Sequence, residues 1–255
     1  MTAALELRDI VVRRGGRIVL DRVGLTASAG EVVGVVGPNG AGKTTLIRAA
    51  LGLEPLVGGS ARLGGEQVGG LSPAALARRA GYLPQERRLA WNVTALRAAS
   101  LGAMDAPQAM AEQRAAAALA KVGLSHLSDR GVFDMSGGER ARVLLARLLA
   151  GCAPLLLADE LTAGLDPDAQ LLALALMRAE ARGGAAVVLT LHDLNLAARS
   201  CDRLVVLDQG RLVADGPPRE ALSDTVLGEV FGLEGQLLET PAGPVLAVRR
   251  MGEAA

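Results

Sequence analysis

Short apolar stretches with β-branched residues come first along this chain. Leu5–Val12, Ile18–Leu25 and Val32–Val36 read as strands, separated by the turn signals Arg-Gly-Gly and Ser-Ala-Gly. A helix is expected after Val36 through about Leu51, with Gly52 placed to stop it. Residues 57–70 are glycine-rich around short apolar pieces and suggest a hairpin. Ser72-Pro73 offers an N-cap and a proline at the first helical position, so a short helix to about Ala80 follows. Between 92 and 150 the period becomes helical, with Ala106–Val122 and Gly137–Ala150 amphipathic. Strand–helix alternation then returns: Leu155–Ala158, Pro167–Arg182 (capped by Asp166, closed by Gly183-Gly184), Ala186–Leu191, Leu194–Ser200 and Leu204–Leu207. Such alternation implies a parallel sheet, so 92–150 is expected as a helical lobe inserted into it. The tail offers Glu220–Phe231 as helix, then Gln236–Glu239 and Val245–Val248 as strands.

The 255 residues suffice for a sizeable core, and with 50% hydrophobic but 2% aromatic residues that core must be Leu, Val and Ala. Lys+Arg and Asp+Glu both number 27, a balance that gives no electrostatic footprint for nucleic acid. Lysine occurs only at 43 and 121, which singles out Lys43. Cys152 and Cys201 are isolated and are expected as free core cysteines. Met1–Glu6 shows no signal peptide, and the apolar run Val143–Ala158 is broken by Arg147 and Pro154, so no membrane span is expected. A soluble cytoplasmic chain able to dock on a membrane protein fits these features.

Candidate chemistry begins in Gly37-Pro38-Asn39-Gly40-Ala41-Gly42-Lys43-Thr44-Thr45, which fits G-x-x-x-x-G-K-[ST] between a strand and a helix. Glycines let backbone N–H groups converge on an oxyanion, and the helix that follows aims its positive end at the same place. Lys43 can reach phosphates, and the Thr44 hydroxyl can ligate Mg²⁺. Leu155–Ala158 ends in Asp159-Glu160, where Asp159 can hold that ion and Glu160 can act as a general base on water. Ser136-Gly137-Gly138-Glu139 reads as a capping box, yet two glycines weaken a first helical turn. They make sense where another molecule's phosphate approaches that N-terminus closely.

These segments, with Gln85 in Tyr82-Leu83-Pro84-Gln85, Leu165-Asp166 and His192, stand in the order and spacing of an ABC transporter ATPase. The resemblance covers nearly the whole chain, and Ser-Gly-Gly-Glu is the part that separates this family from other P-loop enzymes. Leu71-Ser72-Pro73 with Ala77-Arg78-Arg79, Leu191–Ala198 and Val230-Phe231-Gly232 are similar to the importer branch for iron-siderophores, haem and cobalamin. The resemblance implies an α/β P-loop NTPase: a mostly parallel core sheet, an N-terminal antiparallel β subdomain and an inserted helical subdomain. It implies one ABC ATPase domain over residues 1–255, with 92–150 as the helical subdomain and 220–255 as a C-terminal extension.

By the same resemblance, Gly37, Pro38, Asn39, Gly40, Ala41, Gly42, Lys43, Thr44 and Thr45 hold the phosphates of ATP. Asp159, Thr44 and Gln85 attend to Mg²⁺ and the attacking water, Glu160 is the base, and His192 contacts the γ-phosphate. Ser136, Gly137 and Gly138 complete the site of a second copy in a head-to-tail homodimer. The implied partners are integral membrane permease subunits and, through them, a periplasmic or surface substrate-binding protein. The implied place is the cytoplasmic face of the inner membrane.

Two positions depart from the family pattern: Arg14 stands where an aromatic usually stacks on adenine, and Leu161 where proline usually follows the base. Trp91 reads equally as docking surface or core, and His126 as surface. An exporter or lipid-trafficking ATPase, a nucleic-acid-acting ABC protein and a small-metabolite kinase are the competing readings.

Overall fold

The computed structural model describes residues 3–86, 89–241 and 243–252. Met1, Thr2 and the last three residues of the 220–255 extension lie outside the described residues. The chain opens with β1 (Leu5–Arg14) and β2 (Arg17–Ala27), an antiparallel hairpin that turns at Gly15-Gly16. β3 (Val32–Val36) leads into the glycine-rich loop and α1 (Lys43–Ala50). β4 (Leu56–Leu63) and β5 (Glu66–Gln67) form the hairpin read from the glycines, but β4 also pairs with β1, giving the order β2-β1-β4-β5. The first two expected strands therefore belong to one sheet and β3 to another.

α2 (Pro73–Arg79) starts at Ser72, whose hydroxyl accepts the N–H of Ala75 at 3.2 Å. β6 (Ala80–Leu83) follows, then α3 (Ala95–Ser100), α4 (Gln108–Lys121) and α5 (Gly137–Ala150). α4 begins at 108 rather than 106 because Pro107 occupies its N-cap in an extended conformation. β7 (Leu155–Ala158), α6 (Pro167–Arg182), β8 (Ala186–Thr190), α7 (Leu194–Ser200), β9 (Arg203–Asp208) and β10 (Arg211–Gly216) complete the alternation. The expected helix Glu220–Phe231 is two: α8 (Pro218–Ala221) and α9 (Asp224–Phe231), because Ser223 leaves the helical region and restarts the chain as an N-cap. β11 (Leu233–Leu238) and β12 (Val245–Arg250) close the described chain as a separate two-stranded sheet.

The central sheet runs β10-β9-β3-β8-β7-β6, parallel except for the edge strand β10. Its burial follows from pleating. On β3, Val33 and Val35 face the cluster built from β1, β2 and α1, while Val32 and Val36 face the cluster built with α5, α6 and α7. Each such side chain contributes about 1.5–3 kcal/mol. A strand buried on both sides has no polar face, which is why β3, β7 and β8 read as continuous apolar runs. The connection from β3 leads away through α1 to the far edge strand, β6. The ends of β3, β6, β7 and β8 then open to one side, where ligands bind in sheets of this kind.

Two cysteine expectations divide. Cys201 is buried, and burial pushes its thiol up to about 12, whereas Cys152 is exposed in the turn after α5. Its backbone takes φ +49° between α5 and β7. Trp91 is 75% exposed, so the core reading of that residue is overturned, and His126 is exposed. Among the described residues no helix is long and apolar enough to cross a membrane.

Candidate functional site

The glycine-rich loop owes its shape to what surrounds it. A Cβ on Gly37 would lie 2.1 Å from the Leu207 carbonyl oxygen, so only glycine lets the loop leave β3 this close to β9. Gly42 sits at φ +104° beneath Leu20 of the hairpin and provides the N-cap of α1 without any side-chain cap. The first turn of α1 therefore offers its N–H groups to an anion rather than to the protein's own side chains. Lys43, 6% exposed, donates from Nζ to the carbonyls of Gly37 at 2.7 Å and Pro38 at 3.0 Å. Burial lowers its pKa, and the nearby carboxylates of Glu160 and Asp159 oppose that shift.

Opposite the loop, β7 ends in the two carboxylates. Asp159 is fully buried, and its Oδ1 accepts from the Thr190 hydroxyl at 2.7 Å. The same Thr190 oxygen accepts the backbone N–H of Glu160 at 2.7 Å, so one hydroxyl holds both acidic residues. Glu160 takes φ +52°, a conformation that costs about 1–3 kcal/mol in a residue with a side chain and turns the carboxylate out of the strand. Its Oε1 accepts from Gln85 Nε2 at 2.8 Å and lies 2.6 Å from His192 Nε2. A carboxylate only accepts, so Nε2 is the protonated nitrogen of His192 in this pairing. Gln85, Glu160 and His192 come from the ends of β6, β7 and β8.

Lys43, Thr44, Thr45, Asn39, Gly40, Ala41, Gly42, Gln85, Glu160 and His192 line one cleft of about 370 Å³ with Arg14 and Val19. Gly37 and Pro38 line a neighbouring cleft with His192. Asp159 lies beneath them. Among the described residues its buried Oδ2 has no hydrogen-bond partner, an oxygen site that a hard cation would satisfy. Among the described residues no group of three His, Cys, Asp or Glu side chains could cage a metal. One carboxylate with hydroxyl, amide and phosphate oxygens is the donor set that suits Mg²⁺, and the residues present fit it.

Ser136–Gly138 lie away from this cleft. The capping box is complete: Glu139 Oε2 accepts the Ser136 N–H at 2.7 Å, and Ser136 Oγ accepts the Glu139 N–H at 3.2 Å. Those bonds hold the Glu139 carboxyl below its usual range. The two glycines are a different matter, because a Cβ on Gly137 or Gly138 would meet nothing within 4 Å. Packing among the described residues does not require them.

Thr190 and Glu54, which the sequence did not single out, and Asn195, which it offered only within the Leu191–Ala198 marker, matter here. Thr190 is a polar end to an otherwise apolar strand, which was a readable signal. Glu54 gave none: buried in a turn after α1, it accepts from Arg14 and, at 2.7 Å, from Arg48. Arg14 is thus braced at the mouth of the cleft. Asn195 receives the N–H of Leu246 on its Oδ1 at 2.6 Å. Leu161, where proline was expected, is 1% exposed within the core, so its side chain anchors the start of the following loop.

The family model described as ABC transporter matches residues 20–163. A "Hemin import ATP-binding protein HmuV" from Nocardia farcinica (strain IFM 10152) is 45% identical over 258 residues, covering 96% of this chain and 89% of that protein. A dimeric ATP-binding cassette in a post-hydrolysis state with ADP and Pi superposes with TM-score 0.76 at 25% identity, covering 84% of this chain and 99% of that one. A chain from a metal-chelate type ABC transporter in an inward-facing conformation shares the fold, with TM-score 0.82 at 23% identity and 97% of both chains covered. The P-loop cleft, the match to more than half the chain and the identity over almost all of it agree: this chain belongs to the ABC transporter family, as an ATPase.

Proposed function

We propose that this chain hydrolyses ATP in a head-to-tail homodimer and thereby powers uptake of a metal chelate through separate membrane subunits. The observation that carries the catalytic part is the Gln85–Glu160–His192 network facing the phosphate loop. Loop N–H groups and Lys43 bind the β- and γ-phosphates. Water attacks the γ-phosphorus while Glu160 takes its proton, and the bond to the β-phosphate oxygen breaks to release ADP and phosphate. Gln85 orients the water, and His192 steadies the γ-phosphate from its other side. Catalysis is chiefly positioning and charge stabilisation. Thr44, Asp159 and Gln85 would hold Mg²⁺, which when bound neutralises phosphate charge.

Ser136, Gly137 and Gly138 act on the partner's ATP; their open surroundings support this, since a phosphate can approach their N–H groups directly. Residues 92–150 serve as the helical subdomain and 220–255 as an extension of a single ABC domain, seated peripherally on the cytoplasmic face of the inner membrane. Haem is the first cargo to test, because the relative from Nocardia farcinica is named for hemin import. Ferric siderophores and cobalamin share that chemistry of large metal chelates. The test is ATP-driven accumulation of each chelate in vesicles carrying this chain with its co-purifying membrane subunits. Accumulation of one chelate supports the reading; none, or ATP-driven efflux, overturns the import assignment.

A further inference from the structure

We infer that Asn195 is a positioning residue for His192, and that the C-terminal hairpin acts on the nucleotide site through it. The inference rests on the proposed role of His192 and adds a residue and an element to it.

α7 has seven residues and is held at two ends by different means. At its far end Arg178 donates to the Ser200 carbonyl at 2.7 Å. At its near end, one residue after His192, Asp193 caps the helix by accepting the N–H groups of Asn195 at 2.8 Å and Leu196 at 3.0 Å. With the cap already supplied, the Asn195 side chain has no local task, although a short amide in a helix normally finds one by capping or turning the chain. Its Oδ1 instead leaves the helix and accepts the Leu246 N–H from β12 at 2.6 Å.

β12 pairs with β11 in a sheet of two strands, apart from the central sheet. A lone hairpin is marginal in water and takes its place from what it packs on. Here Leu246, 5% exposed, joins the core against α7. The hairpin side chains Leu233, Leu246 and Val248 form one wall of a cleft of about 420 Å³ whose other wall includes Pro38, Asn39 and His192. The hairpin is therefore linked to the reacting groups in steps: Leu246 N–H to Asn195 Oδ1, the Asn195 backbone N–H to the Asp193 carboxylate, the peptide bond from Asp193 back to His192, and His192 Nε2 to Glu160 Oε1 at 2.6 Å. A shift of β12 moves the start of α7 and, with it, the imidazole.

Steady-state and single-turnover ATP hydrolysis by the full chain tests this with N195A, N195D, H192A and the double variant N195A/H192A, each checked for an unchanged melting transition. N195A should lower kcat about tenfold, within what a small misplacement of a reacting group costs, with KM for ATP changed less than twofold. The N195D side chain keeps an Oδ that can accept the Leu246 N–H, so this variant should recover most of the rate. In single turnovers the double variant should be no slower than H192A alone, since both changes act on one group. Wild-type kcat in N195A, a further equal fall on the H192A background, or an N195D as slow as N195A overturns the inference. Wild-type hydrolysis by H192A overturns the reading of His192 itself, and is told apart because it needs no change at 195.

Discussion

Replacing Thr190 with valine removes one oxygen and leaves the shape of β8 intact, yet it should injure both stability and chemistry. The hydroxyl is fully buried, donates to Asp159 and accepts from the Glu160 backbone, each at 2.7 Å. A hydrogen bond to a charged group contributes about 1.5–3 kcal/mol, and an orphaned buried N–H costs about 1–3 kcal/mol more. Because Asp159 Oδ2 already lacks a hydrogen-bond partner among the described residues, valine would leave the whole buried carboxylate without one from them. The expected loss is therefore about 3 kcal/mol or more, a large share of the roughly 5–15 kcal/mol that holds a domain folded. Urea unfolding should show a lower midpoint at unchanged slope. The Glu160 backbone, at φ +52°, also loses the bond that holds it there, so kcat for ATP hydrolysis should fall by about 100-fold, the cost of a displacement near 1 Å. Serine at 190 keeps the hydroxyl and should recover most of both losses. A valine variant with the wild-type midpoint and rate would refute the idea that one hydroxyl organises the two acids.

Other perturbations separate binding from chemistry. Glu160→Gln keeps the side-chain shape and should lower hydrolysis by about 10²–10⁴-fold while ATP still binds; equal rates would remove Glu160 as the base. Gly138→Asp places an acid in the first turn of α5, where it suits the helix, so unfolding stability should hold or rise. Hydrolysis and ATP-dependent dimerisation, followed by light scattering, should nevertheless be lost if partner phosphates approach there. Lys43 starts below its ordinary pKa through burial, and polyphosphate should raise it again. Between the two values ATP binding takes up a proton, so affinity falls as pH rises through that window, and calorimetry in buffers of different ionisation heat reads the uptake directly. Glu54→Gln frees Arg14, and it should weaken ATP binding severalfold while leaving tripolyphosphate binding unchanged; an equal loss for both ligands would show that Glu54 braces the phosphate loop instead.

What was legible in the chain followed from local rules. β7, α5, α6 and α7 coincide with their expected spans because caps and turns announce them: Ser136, Asp166, Asp193 and the Gly183-Gly184 stop. The elements missed are weakly signalled or, like α3 with its Thr94 cap, too short for a cap to announce them. β6 is Ala-Gly-Tyr-Leu, with no β-branched residue, and is a strand because β7 lies beside it. α3 is a six-residue helix whose first turn is tied to residues 128 and 130, far along the chain. β10 alternates weakly and is recruited by the edge of β9.

The same division runs through the site and explains its design. Lys43, Asp159 and Glu160 are readable because their neighbours in sequence build the loop and strand that present them. Thr190, Glu54 and Asn195 each make a contact 30 to 51 residues away: Thr190 to Glu160, Arg14 to Glu54 across 40 residues, and Leu246 to Asn195, although Glu54 also accepts from nearby Arg48. Groups proposed to meet the nucleotide are thus set by local backbone, whereas groups that hold them in place are set by tertiary packing. That separation has a physical cause. A reacting group must sit at a strand end or helix start, where the backbone is exposed, and such places carry sequence signatures. A supporting group needs only one polar atom at hydrogen-bond distance, and any element the fold brings near can supply it. Substitution of the supporting residues should therefore change kcat more than ATP affinity at Thr190 and Asn195, and affinity more than kcat at Glu54. An affinity loss at Thr190 as large as its loss of kcat would break that division.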